Sequence, residues 1–243
     1  MYNEMQASEN IISFENTYII KHNSVGASPK MIAAEELMAA AIHDLKNPLA
    51  SIRGLGQLGM LTSSSKRERS YFERIIKQVD SLNTSVIDLL SVFKPERSVK
   101  AKPSLIVKEV LDEFRAACDI NNIKLIFKSE YEGEINLHIK VFKRAVENLV
   151  RNAVQILPDG GKIEIHTYED ENNFIMSIND NGPGIPDDMK ESVFQPFFYQ
   201  RKDGTGLGLF MVQHAITEVH GGKIWFNSKL GKGTTFYISL PKN

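Results

Sequence analysis

With one cysteine in 243 residues, Cys118 has no partner for a disulfide within the chain. It shares helical spacing with Val110, Leu111 and Phe114, which makes the thiol a small core hydrophobe. That usage suits a reducing compartment, and a cytoplasmic location is expected. No apolar run approaches the ~20 residues that a helix needs to cross a bilayer, so no membrane span is expected. Met1-Tyr2-Asn3-Glu4 lacks the basic start and apolar stretch of a secretory leader. Charge of neither sign is in excess: 29 Lys and Arg face 30 Asp and Glu. No basic face advertises nucleic acid, and none is expected as a partner. Internal repeats and low-complexity segments are also missing.

The organisation falls into four stretches. Residues 1–28 form an N-terminal segment of unknown role, in which Ile11–Phe14 and Tyr18–Ile20 read either as short strands or as disorder. From Pro29 the pattern turns helical. Met38, Ile42, Leu45, Leu49 and Ile52 alternate spacings of four and three, and Ile75, Val79, Leu82, Val86, Leu89 and Phe93 repeat them. Thr62–Ser65 breaks the two seams, so residues 29–94 read as an antiparallel two-helix hairpin. A hairpin alone cannot bury two long seams. Either it packs on the rest of the chain or two copies form a four-helix bundle. Residues 95–103 hold two prolines and several charges and read as a linker.

Residues 104–243 mix helices and strands. Ser104–Cys118 and Lys140–Leu157 are expected helices, and Gly206–His220 another, stopped by Gly221-Gly222. Lys124–Lys128, Glu134–His138, Lys162–Tyr168, Phe174–Asn179, Lys223–Ser228 and Thr234–Leu240 alternate as strands. The fold class is therefore α+β: a helical hairpin, then an α/β sandwich with one mixed sheet and helices on one face.

Four blocks in this second part carry chemistry. Asn148 and Asn152 lie one turn apart on a helix, so their amides face the same way. An amide oxygen is a hard, neutral ligand suited to Mg²⁺, although paired asparagines also crosslink helices. Asp180 ends a strand and opens Asp180-Asn181-Gly182-Pro183-Gly184. Its carboxylate can accept a hydrogen bond from the exocyclic amine of adenine, and Gly182 and Gly184 permit positive φ and close backbone approach. An ordinary Asx turn would use the same residues. Gly204-Thr205-Gly206-Leu207-Gly208-Leu209 runs straight into a helix, where exposed amides and a positive dipole end make a phosphate cradle. Gly231-Lys232-Gly233-Thr234 then turns into the last strand.

The first part carries one further block, Ala41-Ile42-His43-Asp44-Leu45-Lys46-Asn47-Pro48-Leu49. At an unperturbed pKa of about 6.5, most His43 is neutral and nucleophilic at cytosolic pH. One ring nitrogen can attack phosphorus if the other gives its proton to a base. Pro48 removes a helical hydrogen bond and should bend the helix beside His43. His214 and His220 are six apart and share no face for a metal.

In this order, the blocks resemble the catalytic core of a bacterial sensor histidine kinase: a dimerisation and phosphotransfer hairpin followed by a Bergerat-type ATP-binding domain. The resemblance runs from about Met31 to Asn243. It implies ATP bound by Asn148, Asn152, Asp180, Gly182, Gly184, Arg201, Gly204, Thr205, Gly206, Leu207, Gly208 and Thr234. It places Mg²⁺ on Asn152 with Asn148 in support, and Thr234 beside the adenine-reading Asp180. It makes His43 the phosphoacceptor, Asp44 its acidic neighbour where the family usually has glutamate, and Asn47 a residue that positions water for dephosphorylating a regulator. It favours the homodimeric bundle and a response-regulator receiver domain as partner. Phe194, Phe197 and Phe198 match the family's phenylalanine box. Tyr199, Gln200 and Arg201 stand where the family often has two threonines and a lysine, and Arg201 keeps the cation. The expected activity is ATP-dependent autophosphorylation of His43 and transfer to a regulator aspartate. No input domain is recognisable, so a stand-alone kinase or the core of a longer one is expected. A gyrase-like ATPase or an anti-sigma-type serine kinase shares the fold. Asn148, however, stands where gyrase-type ATPases carry a general-base glutamate and cannot take a proton from water. A degenerate adaptor would have lost glycine boxes that are intact here.

Overall fold

The computed structural model describes residues 11–14, 17–20, 47–93, 96–196, 198 and 206–242. Two units divide the chain, one of residues 24–94, the other of residues 1–23 and 95–243.

In the first unit, helix α1 covers residues 47–62 and α2 covers Lys66–Phe93. Ser65 and Glu68 start α2: the Glu68 amide donates to Ser65 Oγ at 3.4 Å, and Ser63 Oγ donates to Glu68 Oε2 at 2.6 Å. This is the serine-to-glutamate spacing that satisfies otherwise orphaned first-turn amides. The helices run antiparallel. Arg53 Nε meets Asp80 Oδ1 at 2.6 Å, a half-exposed pair of small energetic weight. Glycine brings the backbones close. A β-carbon on Gly59 would stand 2.4 Å from the Phe72 ring, and one on Gly56 would stand 3.0 Å from Ile76. Val79 is buried, whereas Ile52, Leu55, Leu58, Leu61, Ile75 and Leu82 remain 43–81% exposed. The seam positions Met38, Ile42 and Leu45 lie outside the described residues.

In the second unit, helices α3 (Pro103–Ile120) and α4 (Ile139–Gln155), with the shorter α5 (Gly208–His214), pack on a seven-stranded sheet. Its strands are β1 (Ile11–Phe14), β2 (Thr17–Ile20), β4 (Ile123–Ser129), β6 (Gly161–Glu169), β7 (Asn173–Asp180), β8 (Lys223–Lys229) and β9 (Gly233–Pro241). Their order is β1-β2-β8-β9-β7-β6-β4, with β4 and β6 parallel and the other pairs antiparallel. The sheet is thus mixed. The two N-terminal strands form a hairpin that adds to β8, with Thr17 opposite Asn227 and Ile19 opposite Trp225.

Alternation decides the core. Ile163, Ile165, Met176, Ile178, Phe226, Ile238 and Leu240 are buried towards the helices, joined by Val107, Val110, Leu111 and Cys118 of α3. Burial also pushes the Cys118 thiol upward, as a core position requires. One polar knot sits among them: Ser104 Oγ donates to Tyr131 O at 2.7 Å and lies 3.1 Å from Thr167 Oγ1. Within residues 95–103, expected as a linker, Val99–Ala101 form strand β3. It pairs antiparallel with β5 (Ile135–Leu137) in a small second sheet.

Candidate nucleotide site

Helix α4 organises the site. Its buried positions Val141, Phe142, Ala145, Val146, Leu149, Val150 and Ala153 follow the helical period. Asn148 and Asn152 fall at the edge of that stripe, half-buried and one turn apart. Two glycine-bearing segments abut this helix. Asn148 Oδ1 lies 3.7 Å from the point where a β-carbon on Gly208 would stand, and Ile156 Cγ2 lies 3.0 Å from the equivalent point on Gly182. From Asn148 to Ile156 the helix axis rises roughly 12 Å at about 1.5 Å per residue. The two loops are thus spaced on the scale of a nucleoside triphosphate.

Asp180 ends β7 and is only 6% exposed. Its Oδ1 accepts the Gly182 amide at 2.9 Å, and the Thr234 amide also bonds the carboxylate. Burial pushes its pKa above the usual carboxylate range, and the two amides pull against that shift. The Asx turn and the buried acceptor are therefore the same structure. The loop beyond is sewn to the β8–β9 turn. Gly184 has φ of 74°, and a β-carbon there would stand 2.3 Å from Lys229 O. The Gly231 amide donates to Pro183 O at 2.6 Å.

Ser228 completes this end of the site, and no motif marked it. It is 3% exposed. Its Oγ accepts the Ile185 amide at 2.8 Å, donates to Gly233 O at 3.1 Å, and lies 2.9 Å from Thr234 Oγ1. One hydroxyl thus holds the exit of the glycine loop, the turn glycine and the threonine of the last strand. Its only sequence signal is a serine on the inward phase of a strand that is otherwise apolar on that face.

At the other end of the helix face, Gly206 has φ of 69° and α5 begins at Gly208. Leu207 and Leu209 are half-buried. The helix expected over Gly206–His220 is split: α5 stops at His214, and Ala215–Val219 form a wider turn. His220 closes that turn. Its Nδ1 lies 2.7 Å from Ala215 O, while its Nε2 accepts the His138 amide at 3.1 Å. Both contacts suit a neutral ring with the proton on Nδ1, and burial holds the imidazole below its usual range. The Gly222 amide bonds Ile216 O at 2.8 Å, which delivers the expected glycine stop.

The structure brings Asn148 to Gly208, and Asp180 to Gly182 and Thr234. Phe194 is buried against Phe226 and Phe236, with centroids 5.9 and 6.3 Å away, so it is core. Asn47 opens the described part of α1 and is exposed. His43, Asp44, Phe197, Tyr199, Gln200, Arg201, Gly204 and Thr205 lie outside the described residues. Among the described residues no three His, Cys, Asp or Glu side chains gather as a metal site. A Mg²⁺ ion held by an amide oxygen and by nucleotide phosphates needs no such cluster.

Two family models match the chain. Residues 33–98 match the His Kinase A (phospho-acceptor) domain, and residues 138–243 match the histidine kinase-, DNA gyrase B- and HSP90-like ATPase. Sporulation kinase A of Bacillus subtilis is 34% identical over 220 residues, 88% of this chain and 36% of its own length. The signal transduction histidine-protein kinase AtoS of Escherichia coli is 35% identical over 214 residues, 86% of this chain and 35% of its own length. The chain thus spans about a third of these curated relatives. Among solved structures, the catalytic domain of histidine kinase ThkA is 30% identical with a TM-score of 0.56, covering 60% of this chain and 97% of that domain. ThkA in complex with the response regulator protein TrrA has 22% identity and a TM-score of 0.64 over 96% of this chain and 78% of that chain, a likeness of fold.

Proposed function

The chain belongs to the sensor histidine kinases of two-component signalling, and from that premise we propose that it autophosphorylates His43 from ATP and passes the phosphoryl group to a response-regulator aspartate. The observation that carries this reading is the spacing along α4: a buried carboxylate and its glycine loop at one end, a half-buried asparagine beside the second glycine segment at the other.

Asp180 accepts a hydrogen bond from the adenine amine. Its position is fixed beforehand by the Gly182 and Thr234 amides, so no reorganisation is needed when the base arrives. Gly182 and Gly184 let the backbone approach the base. Gly204, Thr205, Gly206, Leu207 and Gly208 present amides to the phosphates, and Arg201 adds a cation. Asn152, supported by Asn148, would hold Mg²⁺, which neutralises charge on the phosphate oxygens when bound. His43 attacks the γ-phosphorus with one ring nitrogen as the bond to the ADP oxygen breaks. Asp44 takes the proton from the other nitrogen. The phosphoryl group then moves from nitrogen to the carboxylate of a receiver domain, and Asn47 orients water for the separate hydrolysis of that aspartyl phosphate to the free carboxylate and inorganic phosphate. The complex of ThkA with its regulator supports this class of partner. Asn148 cannot act as a base, and Glu147, the one carboxylate on α4, is tied to Arg144 at 2.6 Å. This favours transfer to a side chain over hydrolysis of ATP.

The exposed apolar side chains of α1 and α2 favour a homodimer through a four-helix bundle. Among the described residues no helix is long and apolar enough to cross a membrane. The need for ATP and a receiver domain favours a cytoplasmic site of action.

Incubation with ATP labelled at the γ-phosphate tests the reading. Wild type should gain acid-labile label, and His43→Gln should lose all of it while still binding ATP. Acid-labile label on the variant would move the acceptor elsewhere.

A further inference from the structure

Helix α4 starts without a cap of its own. His138 stands at its N-cap and makes no side-chain bond to the first turn. Histidine is a poor choice there, since the favoured residues offer an oxygen to the second or third amide. The oxygen comes instead from Glu96, far away in sequence. Glu96 Oε1 accepts the Lys140 amide at 2.5 Å, and Oε2 lies 3.2 Å from Lys140 Nζ. Its main-chain oxygen meets His138 Nδ1. Three oxygens of one residue thus bind the first turn of the helix that carries Asn148 and Asn152. The contact is built into the topology. Strand β3 pairs with β5 so that Val99 faces Leu137, and the same antiparallel register, extended by three residues, sets Glu96 opposite Lys140. The carboxylate is held below its ordinary pKa, first by the Lys140 amide, so it stays charged where the helix end is positive. His138 is in turn bonded through its amide to His220. Glu96 is therefore fixed to the body of the nucleotide unit.

Its place in the chain gives this fixing a consequence. Helix α2 ends at Phe93, and only Lys94 and Pro95 separate it from Glu96. Three Cα steps of 3.8 Å let the chain span at most about 11 Å between Phe93 and Glu96. Were Glu96 released, the next held residue would be Val99 at the start of β3, and the tether could reach about 23 Å. A twofold longer reach opens roughly eight times the volume, and the effective concentration of one tethered group at another falls in proportion.

We propose that Glu96 is a positioning residue for phosphoryl transfer: it fastens the chain leaving the phosphoacceptor helices to the first turn of the asparagine helix. This keeps the nucleotide site on a short tether. The proposal rests on the kinase reading above, but its fastening step has its own readout.

That readout is amide exchange of Lys140, followed in the whole protein. The amide should be protected in wild type and should lose that protection in Glu96→Ala, with the rest of α4 unchanged. Steady-state autophosphorylation should then show kcat lowered by at most about eightfold, since the main-chain oxygen of residue 96 can still meet His138, with KM for ATP unchanged. Glu96→Gln keeps an acceptor oxygen and should restore most of the rate. A Gly-Ser-Gly insertion after Pro95, with Glu96 intact, should lower kcat as Glu96→Ala does while leaving Lys140 protected. Equal Lys140 exchange in wild type and Glu96→Ala overturns the fastening. An unchanged kcat in the insertion protein, or a raised KM in Glu96→Ala, overturns the tether. No label on wild-type His43 refutes the kinase reading instead and leaves the exchange result standing.

Discussion

Gly233 lies so close to Asp180 that a β-carbon on the glycine would stand 2.0 Å from the aspartate's main-chain oxygen. The two strands that carry them, β9 and β7, pair through Asp180 and Thr234 at this point. Glycine is needed there for space and for its φ of 97°. The backbone of the aspartate proposed to read the base is thus pressed against the neighbouring strand with no side chain between them.

Asp180→Asn should fold and should lose ATP affinity. A charge-assisted hydrogen bond is worth about 1.5–3 kcal/mol, or roughly a 10- to 150-fold rise in Kd by calorimetry. The pH dependence has a definite sign. Because burial raises the Asp180 pKa, acidification protonates it earlier than an exposed aspartate, and its charged acceptor is lost there. Wild-type affinity should therefore fall as pH drops towards that raised pKa, still above the ordinary value of about 3.9. The asparagine variant should lack this loss. Equal affinities for wild type and variant at neutral pH would remove Asp180 from the base contact.

Ser228→Ala should destabilise the nucleotide unit. The substitution strands the Ile185 amide, Gly233 O and the Thr234 hydroxyl away from water. Leaving such groups unpaired costs about 1–3 kcal/mol, which lowers Tm by roughly 2–12 °C for a unit of this size. ATP Kd should rise with it, since the loop after Asp180 loses its anchor. A Tm within one degree of wild type would show that the hydroxyl network is not needed.

The helical unit should make the protein a dimer. Ile52, Leu55, Leu58, Leu61, Ile75 and Leu82 together expose enough apolar surface to gain about 1 kcal/mol each on burial, or ~12 kcal/mol for two chains. That is comparable to the cost of association, about 4–15 kcal/mol, so a bundle sharing the rest of both seams is favoured. Sedimentation equilibrium should show a dimer at micromolar concentration. Leu55→Glu with Leu58→Glu should shift it to monomer, and a monomeric wild type would refute the bundle.

Sequence was informative wherever a local rule forced a local structure. The 3.6-residue pattern of α4 fixed which way Asn148 and Asn152 point, and two-residue alternation found β6, β7, β8 and β9 to within a residue or two. The glycine loop after Asp180 was legible because Gly184 has a φ of 74° that few residues adopt, whereas Gly182 has no positive φ and is needed for space, a β-carbon there standing 2.8 Å from Asp180 Oδ1. What escaped was long-range. Ser228 is one serine in a strand, and its value comes from three partners brought together by folding. Glu96 sat inside a stretch whose prolines and charges read as linker, and its partner helix begins over forty residues later. The wide turn at Ala215–Val219 closes on a ring from His220 that also serves His138, a coincidence that no periodicity records.

The hairpin of Ile11–Phe14 and Thr17–Ile20 occupies the side of β8 that would otherwise be a sheet margin. An uncovered margin presents a row of unpaired amides and carbonyls, the template on which strands of other molecules add. Here that margin would run along Trp225, Phe226 and Asn227. The two strands thus move the margin of the sheet from β8 to β1. A shortened protein beginning at the helical hairpin would keep Asp180, Asn148 and Asn152, yet leave the backbone of β8 without its neighbouring strand along Trp225, Phe226 and Asn227.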